Sequence, residues 1–289
     1  MDFIRSYPLC LERNPFIFGS MTDLSPYMSP DRPPMKTRIR PIKAARHMRN
    51  LIADKEDTTQ VFHIIEALNG RSLQKNLDRF VRSPRGKEMI ETREKLAPIL
   101  DDHARWEALA EGTVGRAYLH FMRSQGLSAQ GLIDEYERYG SEFSGFDDGI
   151  EWYANRRRDT HDLLHVLTGY SRDAFGEVCV LAFTDGQHAD RGARFIAYAA
   201  GREVKKQAPR GTPVFKAIRA AQKNGRSAKH VIMEDIISLM SENLEDARAR
   251  LGIAPPVLYD TAHAMMRSGG IDPFSIVGSG EGASQLAPA

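Results

Sequence analysis

Cysteine is nearly absent: only Cys10 and Cys179 occur in 289 residues. They share no CxxC or CxxH spacing, which excludes a disulfide framework and a cysteine-rich zinc module and points to a reducing cytoplasm. No stretch approaches the ~20 apolar residues of a spanning helix, and Met1 to Cys10 lacks the apolar core of a signal peptide. The expectation is a soluble protein, bound at most to a membrane surface. A charge excess is also missing, with 40 Lys and Arg against 38 Asp and Glu. That balance gives no electrostatic reason to expect nucleic acid as a partner.

The composition that remains is ordinary for a globular chain, 42% apolar and 27% charged, and the length suffices for a dry core. Residues 1–35 hold Pro8, Pro15, Pro26, Pro30, Pro33 and Pro34, a density that forbids a regular helix. They read as an extended arm whose Phe16, Ile17, Phe18, Met21, Tyr27 and Met28 favour docking. Residues 268–289, rich in Gly and Ser, read as a flexible tail. Between them, 36–267 reads as one all-α domain. Ala44, Met48, Leu51 and Ile52 share a helical face, as do Val61, Ile64, Ile65 and Leu68 after a capping-box-like Asp57 and Gln60. Val114, Ala117, Tyr118 and Phe121 repeat the pattern up to Gly126. Ile232, Ile236, Leu239 and Met240 lead into Leu244, Ala247, Arg248 and Leu251 before Gly252. Helix stops are expected at Asn69-Gly70, Gly126, Gly169 and Gly252.

Chemistry concentrates in the run from Arg156 to His165. Residues four apart on a helix are neighbours, so His161 and His165 point the same way. Asp162 lies about 100° from His161 and about 60° from His165, close enough to converge with them. Two imidazoles and a carboxylate make a typical site for zinc or another first-row divalent ion. After Gly169 and a possible N-cap at Ser171, a second apolar helix carries Glu177 as its one charge between Asp173 and Asp185. A lone buried carboxylate is costly unless paired or metal-bound, and an antiparallel turn can bring it against the histidines. On spacing alone, a hydrogen-bonded core histidine pair competes with metal binding. An HD-type phosphohydrolase is a further reading, with His103, Asp101 and Asp102 as candidate additional ligands. HDxxH is not the HExxH of metalloproteases, and Gly112, Thr113 and Gly115 lack the residues of a phosphate loop. These glycines indicate a tight helix entry or close packing, Tyr118 reads as core, and Cys179 as a small apolar residue.

His161-Asp162-x-x-His165 followed after eleven residues by Glu177 resembles the signature of the Coq4 family of ubiquinone-biosynthesis proteins. Arg156 and Arg158, Val166 to Gly169, Gly176, Glu111 to Tyr118 and Leu244 to Ile253 extend the resemblance over residues 40–256. Arg157 departs from it where an aromatic is usual, as do Leu163, Leu164 and the polar segment 184–194. The resemblance implies a helical fold with an apolar cavity for a polyprenyl chain, and a divalent metal, zinc first, on His161, Asp162, His165 and Glu177. It implies decarboxylation, with oxidation, at C1 of a polyprenyl hydroxybenzoate, an activity of the carbon–carbon lyase type. Arg156 and Arg158 would then hold the substrate carboxylate, although a solvated helix face is the plainer reading of both. Asp162 is either a ligand or a group orienting a histidine. Expected partners are a polyprenylated quinone precursor, other quinone-biosynthesis proteins and a membrane surface, the inner membrane if the source is bacterial, with a homodimer admitted. The alternative is a non-catalytic lipid-binding scaffold with a structural metal.

Overall fold

Every regular element among the described residues of the computed structural model is helical, which is what the periodicity predicts. The described residues are 23–276, apart from 36, 55–56, 58, 132–138 and 141–143. Cys10, the arm up to residue 22 with Phe16, Ile17, Phe18 and Met21, and the tail from 277 lie outside them. One isolated bridge pairs Thr113 with Asn243.

The first half of the chain forms α1 (Pro41–Ala53), α2 (Thr59–Asn69), α3 (Ser72–Arg82), α4 (Pro84–Thr92), α5 (Leu96–Leu100), α6 (His103–Glu107) and α7 (Val114–Gln125). The second half forms α8 (Gly149–Asp159), α9 (His161–Thr168), α10 (Ala174–His188), α11 (Arg191–Gln207), α12 (Val214–Ser227), α13 (Ile236–Ser241), α14 (Leu244–Leu251) and α15 (Val257–Ser268). The stops expected at Gly70, Gly126, Gly169 and Gly252 all carry the left-handed backbone that ends a helix.

Helix α10 is the centre of the molecule. Its Phe175, Val178, Cys179, Val180, Ala182 and Phe183 are all buried, because the helix is apolar around its whole circumference and must be covered on every side. Helices α11 and α12 both pack on it. The approach of α12 is backbone to backbone: a Cβ on Gly225 would lie 2.2 Å from the Phe183 carbonyl oxygen, and one on Gly186 2.4 Å from that of Gln222. The main core joins α7, α9, α10, α12 and α15. A second cluster joins α3, α4 and α8 with Leu24. A third joins α1 and α2 with Ile196 of α11.

Several local expectations change. Ala44, Met48 and Leu51 are buried, but Ile52, read on the same face, is 38% exposed. Ile232 to Leu251 is not one continuous face. Asp235 and Asn243 each cap a new helix with their side chains, which splits the run into a 3-10 turn, α13 and α14. Asp57 and Gln60 meet side chain to side chain (2.7 Å). Residues 24–35 lie on the domain: Tyr27, Met28 and Met35 pack on the second cluster, and Arg32 makes a buried ion pair with Asp148, the N-cap of α8. At the other end, Pro273–Ser275 forms a 3-10 turn and Ile276 is buried in the main core.

Candidate metal centre

The site is built at the turn between α9 and α10. Gly169 ends α9 with φ +74°, a conformation that glycine adopts without penalty. The chain reverses through residues 170–172, and Asp173 then caps α10 by accepting from the backbone N–H of Phe175 and Gly176. The N-cap is therefore Asp173 rather than Ser171. The carboxylate accepts two helix N–H groups at once, while the Ser171 hydroxyl donates to Asp173 Oδ2 (2.6 Å). With the two helices folded back in this way, Glu177, one turn into α10, faces the histidines of α9.

His161, His165 and Glu177 each place a ligand atom within 4.8 Å of one another. His161 Nε2 and His165 Nε2 are each 3.4 Å from the same oxygen, Glu177 Oε2. That is long for a charge-assisted hydrogen bond, which settles at about 2.7–2.9 Å. It matches the ligand–ligand separation of about 3.4 Å that a tetrahedral ion with bonds of about 2.1 Å imposes. The imidazoles meet edge to face, with centroids 5.0 Å apart.

His165 is fully buried, and its ring is fixed from two directions. Its Nδ1 lies 2.8 Å from the Tyr170 carbonyl oxygen. A carbonyl can only accept, so Nδ1 carries the proton and, in the neutral ring, Nε2 presents its lone pair to Glu177. Phe121 of α7 stacks on the ring at 5.3 Å and 21°. The outcome is a buried nitrogen with no hydrogen-bond partner, facing a carboxylate oxygen that also has only lone pairs to offer. A cation between them satisfies both. This donor set, two imidazoles and one carboxylate, is one that zinc takes in open sites. In the bare site, burial would lower the pKa of His165, but the charge of Glu177 reverses the shift and raises it. Burial would raise Glu177, yet His165 and His161 hold its carboxyl well below the usual range.

The three residues are not equally enclosed. His165 is inaccessible, whereas the side chains of His161 and Glu177 are 29% and 31% exposed. Glu177 is thus half-buried rather than the fully buried carboxylate that its apolar helix suggests. One side of the site opens to solvent. Arg172 stands there, 34% exposed, with Nε 3.5 Å from Glu177 Oε1.

A family model, coenzyme Q (ubiquinone) biosynthesis protein Coq4, matches residues 42–257. The chain belongs to the Coq4 family. It is 30% identical over 118 residues to the cattle (Bos taurus) protein named ubiquinone biosynthesis protein COQ4 homolog, mitochondrial, covering 41% of this chain and 42% of that one. Against the human protein of the same name it is 26% identical over 198 residues, 67% of this chain and 70% of that one. The chain therefore matches two fifths to 70% of the length of these relatives. The fold agrees with a crystal structure of a Nostoc punctiforme protein titled as a candidate ubiquinone biosynthesis protein, with TM-score 0.56 and 21% identity. That likeness covers 75% of this chain and 99% of the other.

Within this Coq4 domain the other expected site residues lie elsewhere. Asp162 is 9% exposed, and its carboxylate stays outside the group formed by His161, His165 and Glu177. It sits near the buried, unpartnered hydroxyl of Tyr118, whose pKa is pushed up first by burial and then by the charge of Asp162. Arg156 is 3% exposed, so it is not on a solvated helix face. Its Nε donates to the Ile232 carbonyl (2.9 Å) and its Nη2 to that of Glu234 (2.8 Å), pinning the 3-10 turn to α8. Burial pushes its pKa down to about 10. Arg158 is held by Asp159 at 2.7 Å. Both guanidiniums are committed to the protein itself. Asp101 accepts from the backbone N–H of Ala129 and Gln130, and Asp102 caps α6. Neither joins His161 and His165 as an HD-type phosphohydrolase would need.

Sequence reasoning missed Arg172, Phe121 and the carbonyl of Tyr170. The signal for Arg172 was its place in the turn before Glu177. It also missed the network that holds this turn. Tyr259 of α15 donates to Asp173 Oδ2 and accepts from Ser171 N–H (3.2 Å), and His263 Nε2 lies 3.2 Å from Asp173 Oδ1. Tyr259 and His263 lie just past the residues matched by the family model. Elsewhere the expected glycine roles hold. Thr113 caps α7 with its side chain, and a Cβ on Gly115 would lie 2.7 Å from Leu109, so this segment is a tight helix entry. Cys179 is buried, and burial pushes its thiol pKa well up. A groove beside α7 has both charged and apolar walls, Arg116, His120 and Arg123 together with Ala117 and Leu119.

Proposed function

We propose that this protein is a ubiquinone-biosynthesis enzyme that removes the C1 carboxyl of a polyprenyl hydroxybenzoate, with oxidation at that carbon. A divalent metal, zinc first, is held by His161, His165 and Glu177. The observation that carries the reading is the buried His165 Nε2, which faces a carboxylate with no proton donor between them. The open side of the site favours chemistry over a purely structural ion, because a structural zinc is closed by four protein ligands.

When bound, the ion supplies Lewis acidity for an anionic head group. The chain's own residues do the rest. Tyr170 and Phe121 hold His165 in one tautomer and one orientation. Arg172, at the open side, takes the role that Arg156 and Arg158 are too engaged to fill, pairing with the substrate carboxylate. The bond that breaks joins C1 to its carboxyl. The carboxyl leaves as carbon dioxide, one atom of dioxygen joins the ring carbon, the other leaves as water with the two protons released, and the ring departs at the quinone level, so that dioxygen is the whole oxidant and no reductant is needed. The prenyl tail would supply most of the affinity, at ~0.8 kcal/mol per buried CH₂. The reading also includes other quinone-pathway proteins as partners, a peripheral place at the inner membrane surface of a bacterial source, and a homodimer as an option. No helix among the described residues is long and apolar enough to cross a membrane.

The test offers the metal-loaded protein a short-chain prenyl hydroxybenzoate with oxygen present and follows carbon dioxide release. The expected result is turnover that falls at least about tenfold in Arg172→Ala, the loss of one charge-assisted contact. Substrate binding without turnover would overturn the enzyme reading and leave a lipid-binding scaffold.

A further inference from the structure

The far end of α10, roughly 16 Å of helix beyond Glu177, gathers a second group of nitrogen-bearing side chains. His188, the last residue of the helix, is 7% exposed. Half-buried His230, from the segment after α12, turns its ring edge-on to that of His188, with centroids 5.8 Å apart. Arg79 of α3 arrives through Asn76, whose amide donates to the His188 carbonyl (2.6 Å) and whose Oδ1 accepts from Arg79 Nη1 (3.4 Å). Arg157 of α8 arrives through Asp190, just past His188, at 2.7 Å. Burial first, then Arg157, His230 and Arg79, lower the pKa of His188, so these groups all act on one ring.

What the group lacks is acceptors. Arg157 Nε is buried without a hydrogen-bond partner. The rings of His188 and His230 make no hydrogen bond among the described residues, and Arg79, exposed at the rim, makes no ion pair there. The Asp190 carboxylate is already engaged: Oδ1 accepts from the backbone N–H of Gly192 and Ala193, and Oδ2 from Arg157. Buried donors left without acceptors are costly, and each guanidinium and each neutral imidazole brings N–H groups that only an acceptor can satisfy.

A plainer role exists, because cations in the last turn of a helix offset its dipole. Arg79, Arg157 and His188 all stand in last turns. That role does not need them to converge, and it gives Arg157 Nε no acceptor. A metal ion would be repelled by the two guanidiniums, and no carboxylate joins the two imidazoles in a ligand group among the described residues. An oxyanion answers both the charge and the unused donors. Four side chains arriving from four segments suit the tetrahedral oxygens of a phosphate better than a planar carboxylate.

We propose that Arg79, Arg157, His188 and His230 form a binding site for a phosphate group, separate from the metal centre. A free phosphate ion, a small phosphate ester and a lipid headgroup present the same oxygens, and the probes separate these sources. The proposal does not depend on the decarboxylase reading.

Isothermal titration calorimetry on the zinc-loaded full chain, at constant ionic strength, uses inorganic phosphate, glycerol 3-phosphate and dihexanoyl phosphatidic acid. Binding is expected, with the ring signals of His188 and His230 shifting in NMR spectra, and the tightest of the three probes identifies the source. Arg79→Gln, at an exposed position, is expected to weaken binding about tenfold or more, the loss of one charge-assisted contact. His230→Gln is expected to weaken it less. His165→Ala, which removes a ligand of the metal centre, and Arg219→Gln with Lys223→Gln, on exposed positions of α12, are expected to leave it unchanged. Circular dichroism checks that each variant is folded. No binding of any probe up to about 10 mM, or binding that Arg79→Gln leaves intact, would overturn the proposal. So would an equal loss in the α12 pair, or a loss in His165→Ala, since the anion would then sit on the general surface or on the metal.

Discussion

Two histidine pairs lie in different halves of the chain, and only one of them is built to hold an ion. His161 and His165, four apart on α9, converge on Glu177 Oε2 at 3.4 Å each. His47 of α1 and His63 of α2 stack face to face, with centroids 4.1 Å apart, but join no carboxylate in a ligand group among the described residues. His47 Nδ1 is satisfied by the amide oxygen of Gln60 at 2.7 Å. Asp57 is engaged with Thr59 and Gln60. Burial, then His47 and Lys43, lower the pKa of His63. Closeness of imidazoles does not make a metal site; the negative group opposite their lone pairs does.

The largest test of this contrast removes a histidine from each pair in turn. His165→Ala is expected to weaken zinc binding by more than about 100-fold, beyond what removal of an orienting partner costs. His47→Ala and His63→Ala leave it unchanged. A competition titration against a chromophoric chelator reads both. The next effect concerns the turn. Asp173→Ala removes the N-cap of α10 and leaves Tyr259 and His263 without their acceptor, which costs about 2–4 kcal/mol in urea unfolding and a further ~10–100-fold in zinc affinity. If stability falls and zinc affinity does not, the turn supports the helix but not the site.

Gly225→Ala forces a methyl into the Phe183 carbonyl and is expected to cost about 1–3 kcal/mol without changing which residues hold the ion. Denaturant midpoints with and without metal check this. The smallest effect comes from the α1–α2 pair. Folding lowers the pKa of His63, so the unfolded chain takes up a proton first as pH falls. Its contribution is intact above the ordinary value of about 6.5 and is lost as pH drops from there towards the folded-state value. His63→Gln should flatten that part of the stability profile, and an unchanged slope would place the titration elsewhere, at buried His188, for example, whose pKa burial also lowers.

The helical class and most helix ends were legible because periodicity and glycine stops are local signals. His161 and His165 were legible for the same reason, and Glu177 stood out by its isolation on an apolar helix. Asp162 was placed by angle alone, and angle says nothing of which way a side chain turns once Tyr118 of another helix stands beside it. Arg156 looked like a surface cation because the carbonyls it binds, Ile232 and Glu234, come from a segment 76 and 78 residues away. Arg172 was hidden because the value of a turn residue depends on what the turn brings together. The partial exposure of Ile52 was equally invisible: it follows the helical pattern of Ala44 and Met48, and only packing shows that it lies at the margin of the buried face.

The most direct measurement is an anomalous-scattering map at the zinc edge from crystals of the protein loaded with one equivalent of zinc. The account predicts a single peak about 2.0–2.2 Å from His161 Nε2, His165 Nε2 and a Glu177 oxygen, with remaining positions open to water. A peak between His47 and His63, or no peak near His165, would contradict it.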